Sequence, residues 1–278
     1  MQLTTLIICM DVIQGDLKKN LCTIKNKISE GAKNGIDLIV FPQYSITGYP
    51  TEAILEEINL YGESIQQEIC NYAKQYNVNI IYDMLEPKDE GFINRAIYVN
   101  NKGHMIEHYD RIHKFWREDL CYTGNSFKII EINGIKVGLM MGDDLYYPQL
   151  SYALRCNEVH AIICLFYGTN HRLGNAFEFK NIVNHLITSH AVTNEIDFIF
   201  CSANGLIRSD DNQCIIAGGE LIGKSMAFSI SEGKILESDT KEDNIITTID
   251  TNKIDFYRML SRRTQENKEN LYRHKKEV

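Results

Sequence analysis

The stretch Val137-Gly-Leu-Met-Met-Gly-Asp-Asp-Leu-Tyr-Tyr-Pro-Gln149 decides the fold of this chain. Its apolar first part predicts a buried strand, Gly142 predicts a sharp turn, and Pro148 is suited to the first turn of a helix. Functional groups in α/β folds gather at the carboxyl ends of such strands. Here the strand ends in Gly142, which has no side chain.

Two further segments place a polar residue after a predicted strand. Asp37-Leu-Ile-Val-Phe-Pro-Gln43 ends in glutamine, and His108-Tyr-Asp-Arg-Ile-His113 places Arg111 after its strand. Both segments thus have the same form as the first, and strand ends are where chemistry tends to lie in α/β folds. The resemblance described below implies that the three positions belong to one site. That site contains Gln43, Arg111 and Gly142.

The composition predicts a globular protein with a large core. The chain has 278 residues, of which 44% are hydrophobic, and its net charge is −8. An acidic surface argues against nucleic acid or an anionic membrane as a partner. The tail from Arg258 to Lys276 is basic but interspersed with glutamates, which is typical of a solvated helix or frayed end. We therefore expect a domain over residues 1–260 and a charged tail over 261–278.

The eight cysteines predict neither a zinc site nor a disulfide framework. No CxxC pair occurs, and several cysteines lie in apolar runs such as Phe198-Ile-Phe-Cys201, where a free thiol behaves as a small hydrophobe. No apolar stretch reaches the roughly 18 residues of a membrane span. The first residues lack the basic start of a signal peptide. We expect a soluble protein of the reducing cytoplasm, without a bound metal.

Apolar runs alternate with helical patterns along the chain, which predicts a single α/β domain. Strands that are apolar throughout indicate sheets covered on both faces. The predicted helices are Leu17 to about Gly35, about Glu63 to Tyr76, Pro148 to Arg155, Ala176 to Glu195, and one starting near Asp250 or Thr251. The predicted strands are Leu3–Cys9, Asp37–Phe41, Val78–Leu85, Ala96–Val99, His104–Tyr109, Phe127–Ile132, Ile135–Met141, Ala161–Phe166, Asp197–Cys201, Ser225–Ile230, Lys234–Leu236 and Ile245–Ile249.

Eight segments, in order, resemble those of the nitrilase (carbon-nitrogen hydrolase) superfamily. They are Val40-Phe-Pro-Gln-Tyr-Ser-Ile-Thr-Gly-Tyr-Pro50, Asn94-Arg-Ala-Ile-Tyr98, Tyr109-Asp-Arg-Ile-His113, Glu118 to Gly124, the stretch around Gly142, His190-Ala-Val-Thr-Asn-Glu195, Ser202-Ala-Asn-Gly205 and Gly223-Lys-Ser-Met-Ala-Phe-Ser-Ile230. The resemblance implies an α-β-β-α sandwich that forms four layers, in which two subunits usually pair, and no metal or organic cofactor. The first segment and Phe115-Trp-Arg-Glu-Asp119 are most similar to the glutaminase domain that supplies NAD synthetase with ammonia.

In the family that this chain resembles, three positions carry Glu, Lys and Cys. Here they are Gln43, Arg111 and Gly142. The family's chemistry needs a thiolate to attack, a carboxylate to take its proton, and a cation beside the oxyanion. Gly142 cannot attack, and the amide of Gln43 has no basic oxygen near neutral pH. Arg111 keeps the charge but does not exchange protons, because its pKa is above about 12.

Other residues near these positions are candidates for a rewired reaction or for binding. Asp143 is the candidate carboxylate after Gly142, since Asp144 takes the place of the family's structural aspartate. Glu118 matches the family's second glutamate, or it forms a salt bridge to Arg111 or Lys114. Cys121 is a displaced nucleophile or a core thiol, and His113 is expected to pack and hydrogen-bond. Tyr146 and Tyr147 are expected to cover a pocket or to pack in the core.

Two hypotheses follow. The favoured one is a pseudoenzyme that binds a small amide or carboxylate ligand through Gln43, Arg111, Glu118, Asp143 and Tyr146. Such a protein would act as a sensor or as a non-catalytic subunit, in a homodimer or beside an active partner. The alternative is an active carbon-nitrogen hydrolase, or a related enzyme, whose catalytic residues are rewired around Arg111.

Overall fold

The computed structural model describes residues 1–114, 118–168, 179–207, 219–221, 223–238 and 244–261. The strands are β1 (Gln2–Ile7), β2 (Leu38–Val40), β3 (Asn79–Lys88), β4 (Gly91–Val99), β5 (Met105–Asp110), β6 (Cys121–Tyr122), β7 (Ile129–Ile132), β8 (Ile135–Met141), β9 (Ala161–Phe166), β10 (Asp197–Ser202), β11 (Leu206–Ile207), β12 (Gly219–Glu220), β13 (Met226–Ser229), β14 (Lys234–Glu237) and β15 (Ile245–Asp250). The helices are α1 (Leu17–Lys33), α2 (Glu52–Tyr76), α3 (Pro148–Cys156), α4 (Phe179–Asn194) and α5 (Thr251–Ser261), with a 3-10 turn at Gly142–Tyr146.

Two mixed sheets form the frame. The first has the strand order β15-β1-β2-β3-β4-β5, with β6 paired to β4, and the second has the order β14-β13-β10-β9-β8-β7. Strands β1, β2 and β3 run parallel in the first sheet, and β8, β9 and β10 run parallel in the second. Parallel strands release the chain at the same edge, so the segments after β2 and after β8 are available to form a site.

Alternate side chains of the first sheet pack into two different hydrophobic cores. In β2, Leu38 and Val40 join the core shared with the second sheet, whereas Ile39 joins the core under α1 and α2. On the far side, α3 and α4 pack against each other, and α4 packs against β10. The order of layers is therefore helix, sheet, sheet, helix, which confirms the α-β-β-α sandwich predicted from the sequence.

The prediction for α2 was wrong at its start. The helix begins at Glu52, eleven residues before Glu63, and the Thr51 side chain accepts a hydrogen bond from the Ile54 amide. Its first turns bury Ile54 and Ile58, but the exposed Glu56 and Leu60 and the buried Gly62 interrupt the apolar repeat. The tertiary packing thus extends a helix whose local pattern is broken.

Two local predictions are confirmed, one by backbone dihedral angles and the other by hydrogen bonds. Asn133 and Gly134 both have positive φ, +51° and +79°, as the two-residue turn between β7 and β8 requires. The Asp250 carboxylate accepts hydrogen bonds from the amides of Asn252 and Lys253 and so caps α5. The predicted start of α4 at Ala176 and the tail over 262–278 lie outside the described residues.

Within the described ranges, none of the helices is long and apolar enough to cross a membrane. Likewise, no group of three or more His, Cys, Asp or Glu side chains suited to a metal ion occurs in the part of the chain that the structure describes.

Helix α1 approaches the first sheet closely at Gly31, which tests the packing of that layer. A methyl group there would lie 2.8 Å from Leu6 Cδ2 and 2.9 Å from Ile39 Cδ1. We expect Gly31→Ala to lower the free energy of unfolding by about 1 kcal/mol, because overpacking outweighs the gain in helix propensity. Denaturant unfolding measures the change.

Gly62 in α2 is the matched control. A methyl group there would be 3.4 Å from Met84 Cε, an ordinary contact, so Gly62→Ala should be neutral or stabilise by up to about 1 kcal/mol. Equal effects of the two substitutions would contradict the close approach at Gly31.

Candidate functional site

The three positions singled out in the sequence meet in space. Gln43 lies three residues beyond β2, Arg111 directly follows β5, and Gly142 directly follows β8. A Cβ atom on Gly142 would lie 3.1 Å from Gln43 Oε1 and 3.2 Å from Arg111 Nη1. Gly142 itself has φ +52°, a conformation that costs a residue with a side chain about 1–2 kcal/mol.

A chain of polar side chains holds Gln43 from behind. Gln43 Nε2 donates to Asn94 Oδ1 at 2.5 Å, and Asn94 Nδ2 donates to Asp83 Oδ2 at 2.8 Å. The backbone amide of Ser45 donates to Asp83 Oδ1 at 3.2 Å. Gln43 Oε1 is buried and has no hydrogen-bond partner among the described residues. Asp83 and Asn94 received no role in the sequence analysis, and the signal that marks them is a polar residue inside a buried strand.

Arg111 is buried within a compact cluster. Its Nη2 lies 2.6 Å from Glu118 Oε2 and 3.0 Å from Cys121 Sγ. Lys114 Nζ donates to the backbone oxygens of Glu118 and Cys121 and fixes the loop that carries both. The salt bridge that the sequence analysis left open for Glu118 is therefore formed with Arg111, and the guanidinium charge is already matched.

Cys121 is in the cluster, but its thiol is poorly suited to attack. Burial raises the pKa of Cys121, and the nearby Arg111 guanidinium only partly opposes this. A thiol with a raised pKa stays protonated near neutral pH and is a weak nucleophile. This environment favours the interpretation of Cys121 as a core thiol.

Asp144 organises the turn after β8. Its fully buried carboxylate accepts hydrogen bonds from the Tyr109 hydroxyl at 2.6 Å, the His113 amide at 2.8 Å and the Met141 amide at 3.0 Å. The His113 ring nitrogen Nδ1 also lies 2.8 Å from it. This is the structural role predicted for Asp144, and it also accounts for His113, whose ring stacks on Tyr147 at 3.4 Å between centroids.

The remaining candidates differ in burial. Asp143 is buried beside Gly142, whereas Tyr146 and Tyr147 are about 37% and 41% exposed at the end of the 3-10 turn. Tyr44, which the sequence analysis passed over, is buried next to Gln43 with φ +56° and lies edge-on to Tyr49 and Tyr167. Its hydroxyl has no hydrogen-bond partner within the described ranges. Tyr44, the neighbour of Gln43 in the chain, is thus held in a cluster of aromatic rings.

A sequence model of the carbon-nitrogen hydrolase family matches residues 2–259. A nitrilase from Pyrococcus abyssi is 27% identical over 142 residues, which are 49% of this chain and 54% of that protein. A glutamine-dependent NAD(+) synthetase from Thermotoga maritima is 21% identical over 81% of this chain and 39% of its own length. The chain spans about half or less of these two relatives.

Solved structures show the same fold at low sequence identity. A carbon-nitrogen hydrolase from Helicobacter pylori superposes with a TM-score of 0.85 at 18% identity, covering 99% of both chains. An amidase from Nesterenkonia superposes with a TM-score of 0.73 at 16% identity, covering 92% of this chain and 93% of that one. The latter is a double mutant, with a glutamate changed to glutamine and a cysteine to alanine, in complex with acrylamide.

Replacing Asp144 tests its organising role. We expect Asp144→Asn to lower the free energy of unfolding by about 2–3 kcal/mol, because in either orientation the new NH₂ group faces a backbone N–H, of His113 or of Met141, and cannot accept from it. Tyr109→Phe removes only one of the donors and should cost about 1 kcal/mol. Denaturant unfolding of both variants makes the comparison, and equal losses would contradict the proposed role of Asp144.

The buried carboxyl of Asp83 makes stability depend on pH. Burial raises its pKa from 3.8 to about 6, although the backbone amide of Tyr44 and the Asn94 side chain oppose the shift. A group whose pKa is raised by folding stabilises the fold at low pH, and that contribution is lost as the pH rises from about 4 to about 6. We expect Asp83→Asn to remove this component, as measured by unfolding at closely spaced pH values.

Asp197 provides a second component for comparison. Burial raises its pKa to about 7, so Asp197→Asn should leave the component of Asp83 in place. If the stability difference between Asp83→Asn and the wild type is constant between about pH 4 and pH 6, the assignment to Asp83 is wrong.

Proposed function

We propose that this chain, which belongs to the carbon-nitrogen hydrolase family, binds a small amide at the site around Gly142 without hydrolysing it. The proposal depends mainly on Gly142, the residue that directly follows β8. Gly142 brings no nucleophile to a position that is otherwise framed by Gln43 and Arg111. Loss of the nucleophile alone costs about 10⁶-fold in rate in a comparable covalent mechanism.

The site still offers what an amide needs for binding. Gln43 Oε1 is a buried acceptor without a partner in the described part of the chain, and the donor Arg111 Nη1 lies at a similar distance from the Cβ position of Gly142, 3.2 Å against 3.1 Å. An unsatisfied buried acceptor costs about 1–3 kcal/mol, and a ligand N–H recovers this cost. A binding role would therefore account for the side chains of both Gln43 and Arg111.

The amidase double mutant supports the same proposal by analogy. In that protein, glutamine and alanine replace a glutamate and a cysteine, and its structure is a complex with acrylamide. This chain carries Gln43 and Gly142 where its resemblance to the family places a glutamate and a cysteine. That amidase thus forms a complex with an amide although the glutamate and the cysteine are replaced.

The environment of the alternative groups favours binding over a rewired reaction. Glu118 is committed to Arg111 at 2.6 Å, and burial keeps the Cys121 thiol protonated by raising its pKa. Asp143, the third candidate, is buried directly beside Gly142 and tests the alternative most directly. An activity that disappears in Asp143→Asn, with the fold intact, would support the rewired enzyme.

The ligand is expected to be a primary carboxamide. The first signature segment resembles that of glutaminase members, and one relative is a glutamine-dependent NAD(+) synthetase, so glutamine is a natural first probe. As part of the same proposal, the protein acts as a sensor, or as a non-catalytic subunit in a homodimer or beside an active partner.

The proposal predicts saturable binding without turnover. Purified protein is incubated with glutamine, asparagine, propionamide and acrylamide, ammonia release is measured, and binding is followed by calorimetry and by protein NMR. We expect one of these amides to bind and ammonia release to stay far below about 1 s⁻¹, a low rate for an enzyme.

A matched variant separates the site from the rest of the surface. Gln43→Met keeps the length of the side chain but removes the acceptor, so it should weaken amide binding by about tenfold or more. Circular dichroism verifies the fold of the variant. Turnover above about 1 s⁻¹, or the absence of saturable binding by all four amides, would overturn the proposal.

A further inference from the structure

We propose that Asp83 and Asn94 fix the orientation of the Gln43 side chain, and that this orientation makes the site select a neutral carboxamide over the corresponding carboxylate. The inference rests on the proposed function and deepens it, because it names the chemical group that is recognised and the positioning residues responsible. The three atoms nearest to a Cβ on Gly142 belong to Gln43 and Arg111, so Asp83 and Asn94 are proposed to act through Gln43.

The first step is the fixed direction of the hydrogen bond between Asp83 and Asn94. An ionised carboxylate can only accept hydrogen bonds. Asp83 Oδ1 accepts from the Ser45 amide, and Asp83 Oδ2 accepts from Asn94 Nδ2 at 2.8 Å. Asn94 therefore has to turn its NH₂ group toward Asp83 and its oxygen toward Gln43.

The orientation of Asn94 in turn fixes the orientation of the Gln43 side chain. Because Asn94 presents Oδ1, Gln43 has to answer with its NH₂ group, and the two atoms lie 2.5 Å apart. Of the two polar atoms of Gln43, Oε1 is then the nearer to the position of a Cβ atom on Gly142, at 3.1 Å, whereas Nε2 lies 3.4 Å from it and is engaged with Asn94. Gln43 is 1% exposed, and Oε1 has no partner among the described residues, so a buried acceptor faces the site.

The third step is the match between this acceptor and the donor opposite. Arg111 Nη1 lies 3.2 Å from the same Cβ position. A primary amide can give an N–H to Gln43 Oε1 while its carbonyl oxygen accepts from Arg111 Nη1. A carboxylate has no N–H, so one of its oxygens would face Gln43 Oε1 as acceptor against acceptor.

Local charge acts in the same direction. The Arg111 guanidinium is already paired with Glu118 at 2.6 Å, so little positive charge remains for an anionic ligand. Asp83 and Asp143 are further buried carboxyl groups close to the site. A further buried anion would therefore be costly, whereas a neutral amide avoids this cost.

The isosteric change Asp83→Asn tests the inference by reversing the chain of hydrogen bonds. The introduced amide would keep its oxygen on the Ser45 N–H and turn its NH₂ group toward Asn94. Asn94 would then rotate to present its own NH₂ group to Gln43, and Gln43 would turn Nε2 toward the site. The variant should thus offer a donor where the wild type offers an acceptor.

The affinities of propionamide and propionate are measured for wild type and variant at about pH 8, where ordinary carboxyl groups and the Asp83 carboxyl are ionised. We expect the wild type to bind propionamide at least about tenfold more tightly than propionate. In Asp83→Asn, we expect the amide to bind about tenfold more weakly and propionate to bind more tightly.

The affinity for propionamide distinguishes a reorientation of the Gln43 side chain from the simple loss of a charge. Removing a negative charge alone would strengthen propionate binding but leave propionamide binding unchanged. Asp110→Asn is the matched control, because it removes a carboxylate next to Arg111 that pairs with Arg95, outside the chain of hydrogen bonds. It should leave the affinity for propionamide as in the wild type.

A ligand-independent arm uses the melting temperature. In Gln43→Glu, a carboxylate oxygen would face Asn94 Oδ1, so we expect the melting temperature to fall by about 5 °C or more. When Asp83→Asn is combined with it, Asn94 can donate to the new carboxylate. The Gln43→Glu substitution should then cost much less than in the wild-type background, as a double-mutant cycle shows.

The two proposals fail in different ways. If the wild type binds none of the probes, the proposed function is wrong, and the melting-temperature cycle still decides the orientation of Gln43. If propionamide and propionate bind equally, or if Asp83→Asn leaves their ratio unchanged, the selectivity inference is overturned while the binding function stands. Additive melting-temperature changes would likewise overturn the role of Asp83 and Asn94.

Discussion

The carboxylate of Asp144 is the contact on which the geometry of the site depends. It binds the Tyr109 hydroxyl at the end of β5, the backbone and ring of His113, and the Met141 amide at the end of β8. This buried carboxylate therefore joins the two sheets at the point where β5 and β8 end. Because β5 and β8 are held together there, Arg111 and Gly142 are brought to the same space, whatever side chain stands at position 142.

Around this fixed frame, the three replacements change the chemistry and leave the shape. Gln43 has nearly the volume of glutamate but no charge, so the buried Arg111 has to balance one carboxylate, Glu118, rather than two. Gly142 leaves a position whose Cβ would be in tight contact with Gln43 and Arg111, 3.1–3.4 Å away. Gln43 and Gly142 thus add no charge beside the Arg111–Glu118 pair, which is consistent with the proposed binding role.

Much of the frame could be predicted from the sequence because its signals are local. Apolar runs marked the buried strands, Asn133-Gly134 marked a hairpin, and Asp250 marked the start of α5. The start of α2 was missed because Gly62 interrupts its apolar repeat, and only packing against the sheet restores the helix. At the site, Gln43, Arg111 and Gly142 could be identified because each lies just after a predicted strand and matches a family segment. The roles of Asp83 and Asn94 did not, because their contacts join β3, β4 and the segment after β2, which no local pattern connects.

These contacts also limit what a thiol at position 142 could do. A nucleophile there needs a carboxylate to take its proton, and three of the buried carboxylates around the site, other than Asp143, are engaged with other groups. Glu118 neutralises Arg111, Asp144 is engaged by the donors of the turn, and Asp83 is separated from Gly142 by both Asn94 and Gln43. A carboxylate restored at position 43 would meet the oxygen of Asn94, whose direction Asp83 sets. The hydrogen-bond network as a whole thus bears on both proposals, since the Asp83 carboxylate that orients Gln43 Oε1 as an acceptor also disfavours a charged base at position 43.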